Sequence, residues 1–255
     1  MVPLSRTRAL LAATAATLFL LASTAAATEL TFFAGAGLRQ PTDVLVDRFE
    51  KKTGHRVLIN YDGGGRQLAR IRASGRGDLF MPGALFFIDR LKKAGGIRTI
   101  HPLVAHTAVV GVALHAGKRI RAFEDLAQTG VRLALGDPEA MAFGRTARAM
   151  MQRAGLEAEI LKNVAVYGGT VKQLALYVAR GDVDAAIIGR SDAFQFRDRI
   201  RMLPIPRAYF EAETIAAAVL RSSRHPDLAE AFCAFMASKE ALDVFCEFGF
   251  LPLEE

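Results

Sequence analysis

From Leu30 onward, short apolar runs alternate with stretches of helical periodicity, and glycine stands at most of the junctions. That alternation leaves few folds open. An apolar run too short for a buried helix reads as a strand covered on both faces. Repeated strand–helix units build helices against a largely parallel sheet. The pattern predicts strands at 30–34, 56–61 and 78–81, followed by helices at about 41–52, 67–73 and 84–94. It then predicts strands at 109–114, 131–135, 163–167 and 183–188, with helices at 122–128, 144–154 and from 171 to Arg180, the last behind Thr170 as N-cap. Late strands at 202–205 and 214–220 and two closing helices, 226–237 and 239–247, complete an α/β chain.

In such sheets ligands bind at the carboxyl ends of strands, where loops feed helix N-termini. Four of these loops are rich in glycine: 35–37, 63–65, 136–144 and 168–169. A helix N-terminus presents unbonded N–H groups and partial positive charge, and glycine lets a ligand approach the backbone closely. One such loop is only a tight turn. Four in one α/β chain predict a binding cleft for an anion.

The N-terminus has the layout of a secretory signal. Arg6 and Arg8 precede an apolar run from Ala9 to Leu21, and Ala25, Ala26 and Ala27 offer a small-residue cleavage site before Thr28. The run is shorter than the ~20 residues of a membrane-spanning helix. Residues 1–27 are therefore expected to be removed and the rest exported to the periplasm.

The two signal arginines contribute to a formal charge of +7, leaving a mildly basic remainder with its charges scattered. No basic run interleaves with aromatics, which excludes a nucleic-acid binder. Five dispersed histidines and the absence of paired Cys/His spacings leave no metal or cofactor expected. Cys233 and Cys246 fall on the two closing helices, and two readings stay open: a disulfide permitted by export, or two buried thiols.

Particular segments carry a resemblance. Phe33–Leu38, Leu68–Ile71 with Gly77–Phe80, Gly136-Asp137-Pro138-Glu139, Val171–Val178 followed by Ile187–Ala193, and the ending from Ala231 to Phe250 together resemble the periplasmic molybdate-binding proteins of ABC importers. The resemblance runs in order through the chain beyond residue 27. It implies a two-lobed periplasmic binding protein fold of type II, with residues 28–108 and 212–255 in one lobe, 109–211 in the other, and the ligand between them. It also implies a partner, the membrane subunits of an ABC permease, and a protein acting as a monomer that closes by hinge motion.

That family holds a tetrahedral dianion with serine hydroxyls, a tyrosine hydroxyl and backbone N–H groups. The matching positions here are Gly37, then Gly64 or Gly65, Phe143, Val171 and Gly189. The backbone donors at Phe143 and Val171 carry over, whereas all three hydroxyls are replaced by glycine. Hydrogen bonds to a charged group contribute roughly 1.5–3 kcal/mol each, so an unreplaced loss of three is severe. Arg39, Arg66, Arg145 and Arg190 in the same loops are candidates to clamp an oxyanion bidentately. Asp62 would repel a dianion or pair with a cation, and Tyr61 either faces the ligand or packs under its loop.

Three functions follow. The first is delivery of a small molybdate- or tungstate-like oxyanion, or of a larger oxyanion or organic acid, to an ABC permease. The second is a sensory binding protein that docks on a receptor. The third, an exported enzyme, lacks a nucleophile–base set. Its only tempting group is Ser191-Asp192 beside Gly189, with Ser191 expected as a helix N-cap.

Overall fold

The computed structural model describes residues 27–138 and 142–253. Among them run ten strands, β1 (Glu29–Gly35), β2 (Arg56–Asp62), β3 (Leu79–Met81), β4 (Ile97–His106), β5 (Ala108–Ala113), β6 (Leu133–Gly136), β7 (Val164–Gly168), β8 (Ala185–Gly189), β9 (Ile200–Pro204) and β10 (Glu213–Leu220). The helices are α1 (Arg39–Thr53), α2 (Gly64–Ser74), α3 (Leu85–Lys93), α4 (Ala142–Arg153), α5 (Glu157–Lys162), α6 (Val171–Arg180), α7 (Arg190–Phe194), α8 (Pro226–Met236) and α9 (Lys239–Glu247). The strands form two five-stranded sheets, ordered β2-β1-β3-β10-β4 and β7-β6-β8-β5-β9. This is a two-lobed α/β fold.

Each sheet is mixed in the same way. In the first, β10 alone runs against its neighbours β3 and β4. In the second, β5 alone runs against β8 and β9. The chain leaves the carboxyl end of β4 and enters β5 after the single residue Thr107. It returns from the carboxyl end of β9 to the start of β10 through residues 205–212. Both crossings therefore join the edges at which β1, β2 and β3 end in one sheet and β6, β7 and β8 end in the other.

Local sequence explains the elements. Strands such as β5 and β8 are buried on both faces, which is why they read as continuous apolar runs. The first sheet carries Leu30, Phe32 and Leu79 against α1, α8 and α9, and Phe33 and Phe80 against Leu68 and Ile71 of α2 and Ile88 and Leu91 of α3. In the second, Leu133 and Leu135 meet Met150 and Met151 of α4. Val109 and Ile188 meet Leu174 and Val178 of α6 on the other face. The Thr170 hydroxyl caps α6, accepting from the Gln173 N–H at 3.1 Å. Gly54, at φ 73°, ends α1 in the left-handed conformation that only glycine adopts freely.

Some elements depart from the sequence reading. β4 was not anticipated, because Arg98, His101 and Pro102 break its apolar pattern. It is an edge strand with register shifts against β10, where proline is tolerated. α5 is a short helix that apolar spacing does not reveal. α2 begins at Gly64, since the Gly63 carbonyl already accepts from the Gln67 N–H at 3.1 Å. Pro41 is the third residue of α1, which follows a 3₁₀ turn at Ala36–Leu38.

Cys233 and Cys246 are both free thiols, so of the two readings left open the disulfide is the one not found. Cys233 is buried in the first core, where burial pushes its thiol well above the usual range. Cys246 is only partly covered. A thiol reagent should label Cys246 in the native protein and reach Cys233 only on unfolding; equal labelling of both in the native state would contradict the packing.

The first core turns on Phe232, edge-on to Phe32 at 5.4 Å and to Phe49 at 4.9 Å between ring centroids. Phe232→Ala should lower stability by about 3–5 kcal/mol in urea denaturation, as expected for an aromatic removed from a closed core.

Candidate functional site

The two crossings make the carboxyl edges of the sheets face one another, and the loops that feed the helices open into the gap between them. On the first side these are the loops from β1 to α1, β2 to α2 and β3 to α3. On the second they run from β7 to α6 and β8 to α7, while the connection from β6 to α4 crosses residues outside the described ones. Register aligns their ends: Gly35 pairs with Asp62, Gly136 with Gly168, and Gly189 with Ala108.

On the first side Gly37 is exposed, and a Cβ there would meet nothing within 4 Å. Gly64 differs. Its missing Cβ would stand 2.5 Å from the Phe87 ring of α3, so that space is already filled, while Gly65 only touches the same ring at 3.9 Å. Asp62 turns back on its own loop. It accepts from the Gly63 N–H at 2.7 Å and the Arg66 Nε at 2.6 Å, with Arg70 at 3.8 Å. These bonds, the Gly63 N–H first and Arg66 next, hold its carboxyl below the usual range. The Tyr61 hydroxyl donates to Asp43 of α1, and Arg39 stacks over the Tyr61 ring at 4.0 Å. Burial, then the Asp43 carboxylate, raises the phenol far above its ordinary value. Tyr61 thus packs under its loop. Beneath the same loops lies Gln67, fully buried, its amide donating to the carbonyls of Ala34 and Asn60 while its Oε1 accepts nothing.

On the second side Gly144 is a close approach. A Cβ there would lie 2.6 Å from the carbonyl oxygens of both Gly136 and Asp137, so α4 can start flush against the end of β6 only with glycine. Phe143 is partly buried against the second core. Glu139 of the Gly-Asp-Pro-Glu segment lies outside the described residues. Arg145 folds back to the Pro138 carbonyl at 3.1 Å. Val171 opens α6 behind Thr170, and Lys172 beside it is an exposed cation.

Gly189 ends β8 and is buried. A Cβ on it would meet Asp192 Oδ2 at 3.0 Å and His106 Nε2 at 3.2 Å. His106 Nε2 also lies 3.2 Å from the Ser191 hydroxyl. Ser191 is therefore not an N-cap. Gly189 holds that position, and Ser191 sits inside α7 facing the histidine that ends β4. Burial pushes His106 down to about 4, and burial pushes Asp192 up to about 6 against the pull of Lys172. Glu213, opposite His106 in the β4–β10 register, is also raised by burial.

Arg190 turns the other way. Its N–H donates to the Thr107 carbonyl at 2.8 Å, its guanidinium donates to the Gly249 carbonyl, and its charge lies 5.5 Å from the Phe194 ring. It lines a cavity of about 900 Å³ beside the crossings, walled by Val109, Met202, Ile205, Phe210 and Leu251, rather than by the glycines of the loops. Each of the four arginines singled out in the sequence thus has a partner within the protein. His106 and Lys172 carry no signal in the sequence, and Asp192 stands out there only beside Ser191 in the enzyme reading. Among the described residues no three His, Cys, Asp or Glu side chains are grouped to hold a metal ion.

A family profile described as bacterial extracellular solute-binding protein matches residues 30–251. A Haemophilus influenzae protein described as a putative binding protein is 36% identical over 226 residues, covering 89% of this chain and 92% of that one. The substrate binding domain of a putative molybdenum ABC transporter from Clostridium difficile superposes with a TM-score of 0.79 at 22% identity, over 89% of this chain and all of that one. Iron-bound HitA from Pseudomonas aeruginosa follows with 0.73 at 20% identity, over 89% and 87%.

The buried pair gives a signed pH dependence. As pH falls from 6.5 toward 4, His106 binds a proton in the unfolded chain before the folded one, which lowers stability. As pH falls from about 6 toward 3.8, Asp192 binds a proton in the folded chain first, which raises stability. The two oppose. Asp192→Asn should melt above wild type at neutral pH and lose that advantage near pH 4, while His106→Gln gains on wild type over the same fall. Each effect should be about 1–2 kcal/mol by thermal melts across pH, after discounting for partial solvent exposure.

Proposed function

Because the chain belongs to the bacterial extracellular solute-binding protein family, we propose that it captures a small anion between its two lobes and delivers it to the membrane subunits of an ABC permease. One observation supports the reading: the parallel strands of both sheets end on the edges that the two crossings join, and helix N-termini follow most of them. In this reading the lobes expected at 28–108 with 212–255 and at 109–211 meet at Thr107 and residues 205–212, which moves Ala108, paired with Gly189, into the second lobe. The protein works as a periplasmic monomer without catalysis.

The ligand meets backbone N–H groups at Gly37, Gly65, Phe143 and Val171, with Gly64 and Gly189 as surface. Arg66, Arg145 and Arg190 serve as loop fasteners unless closure frees them. A molybdenum transporter's domain among the structural neighbours supports an oxyanion of molybdate or tungstate type. The open space at Gly37 supports a larger oxyanion or organic acid equally. An iron-bound protein with the same fold makes ferric ion the natural control.

A thermal-shift screen with molybdate, tungstate, phosphate, citrate and ferric ion tests this. A true ligand at a hundred times its Kd stabilises by about 2.7 kcal/mol, a rise of several degrees in Tm. Gly37→Leu should abolish the shift while leaving the Tm of the free protein within about a degree, since its side chain grows into open space. Gly64→Ser should instead lower Tm outright by crowding Phe87. A shift with ferric ion alone would overturn the anion reading.

A further inference from the structure

On the reading that the gap binds an anion, we infer that its ligand is an anion carrying a hydroxyl hydrogen, a hydroxy acid or a protonated oxyanion, and that Asp192, standing beside His106, accepts that hydrogen. The geometry lies at Gly189. Asp192 Oδ2 and His106 Nε2 converge on the one point where a side chain at 189 would begin, 3.0 and 3.2 Å from it. They come from different elements, Asp192 from α7 and His106 from the end of β4, beside the Thr107 crossing. Polar atoms from two other elements, one belonging to each sheet's end, thus stand together beside Gly189.

Their chemistry differs from that of a hydroxyl. A carboxylate only accepts hydrogen bonds, and a neutral imidazole offers one donor and one acceptor. Ser191 already engages His106 Nε2 at 3.2 Å. With burial raising Asp192 only to about 6, the group is mostly an acceptor at neutral pH. A fully ionised tetrahedral dianion carries acceptors alone. Against Asp192 it would set like charges and two acceptors face to face, with Lys172 of α6 the nearest relief. An anion bearing a hydroxyl donates to Asp192 while its remaining oxygens accept from the helix N-termini. A site built to receive a hydrogen rejects the analogue lacking it by about a hundredfold or more.

Calorimetry at neutral pH tests this with four probes. Inorganic phosphate and glycerate each carry a hydroxyl hydrogen, the first on an oxyanion and the second on an organic acid. Sulfate and molybdate carry none. Wild type should bind phosphate or glycerate at least about a hundredfold more tightly than sulfate and molybdate, and which of the two binds identifies the source of the hydroxyl. Asp192→Asn, isosteric and uncharged, should narrow that ratio to about tenfold or less by gaining affinity for the ionised pair. The wild-type ratio is a readout that needs no variant to fold. Molybdate binding as tightly as phosphate and glycerate in wild type would overturn this inference and leave the anion reading standing. Binding of none of the four, with another anion raising the Tm, would also overturn this inference alone, while no response to any anion would overturn the anion reading as well.

Discussion

Everything in this architecture hangs on the shortness of one crossing. Thr107 alone separates the end of β4 from the start of β5, and its carbonyl is pinned by the N–H of Arg190 at 2.8 Å. A one-residue connection cannot carry the chain around a sheet, so the second sheet must begin at the edge where the first one stops. Because β5 and β10 are the single reversed strands, that edge is where the parallel strands of both sheets end. The gap between the lobes and the helix N-termini around it follow from this connection.

Charge in the gap is managed largely without free cations. Arg39 lies on Tyr61, Arg66 on Asp62, Arg145 on Pro138 and Arg190 on Gly249. In the proposed reading the attraction for an anion would rest on backbone dipoles, which need no counterion and undergo little reorganisation when a ligand arrives. Against this, the buried groups by Gly189 are of opposite kinds, and each is driven toward its neutral form by burial. Beside Gly189 a neutral imidazole thus stands near a carboxylate that is still mostly ionised at neutral pH.

Much of the scaffold was legible in the sequence because alternation is a local signal. β1 with α1, or β7 with Thr170 and α6, announce themselves within twenty or so residues. β4 was not legible, since proline and histidine in an edge strand mimic a loop. The site was legible only as far as its loops. That Phe87 fills the space beside Gly64, or that His106 reaches Ser191 across 85 positions of sequence, depends on tertiary packing that no spacing encodes. The arginines illustrate the same limit: their presence could be read, their partners could not.

The strand β10 lies between β3 and β4, yet it is made from residues 213–220, after the entire second sheet has been spelled out. The second sheet, from Ala108 to Pro204, is continuous in sequence, though pairing β5 with β8 and β9 also closes long loops, such as that from Val109 to Pro204. The first sheet has β3 and β4 in hand early but no strand to set between them until the chain returns, and joining them means closing a loop more than a hundred residues long. The topology lets the uninterrupted second sheet pair without the first, whereas the first sheet keeps a slot between β3 and β4 until β10 enters it. Throughout that interval β3 and β4 present unmatched backbone edges. For such a chain the hazardous moment on the way to the native state belongs to the lobe that begins first and finishes last.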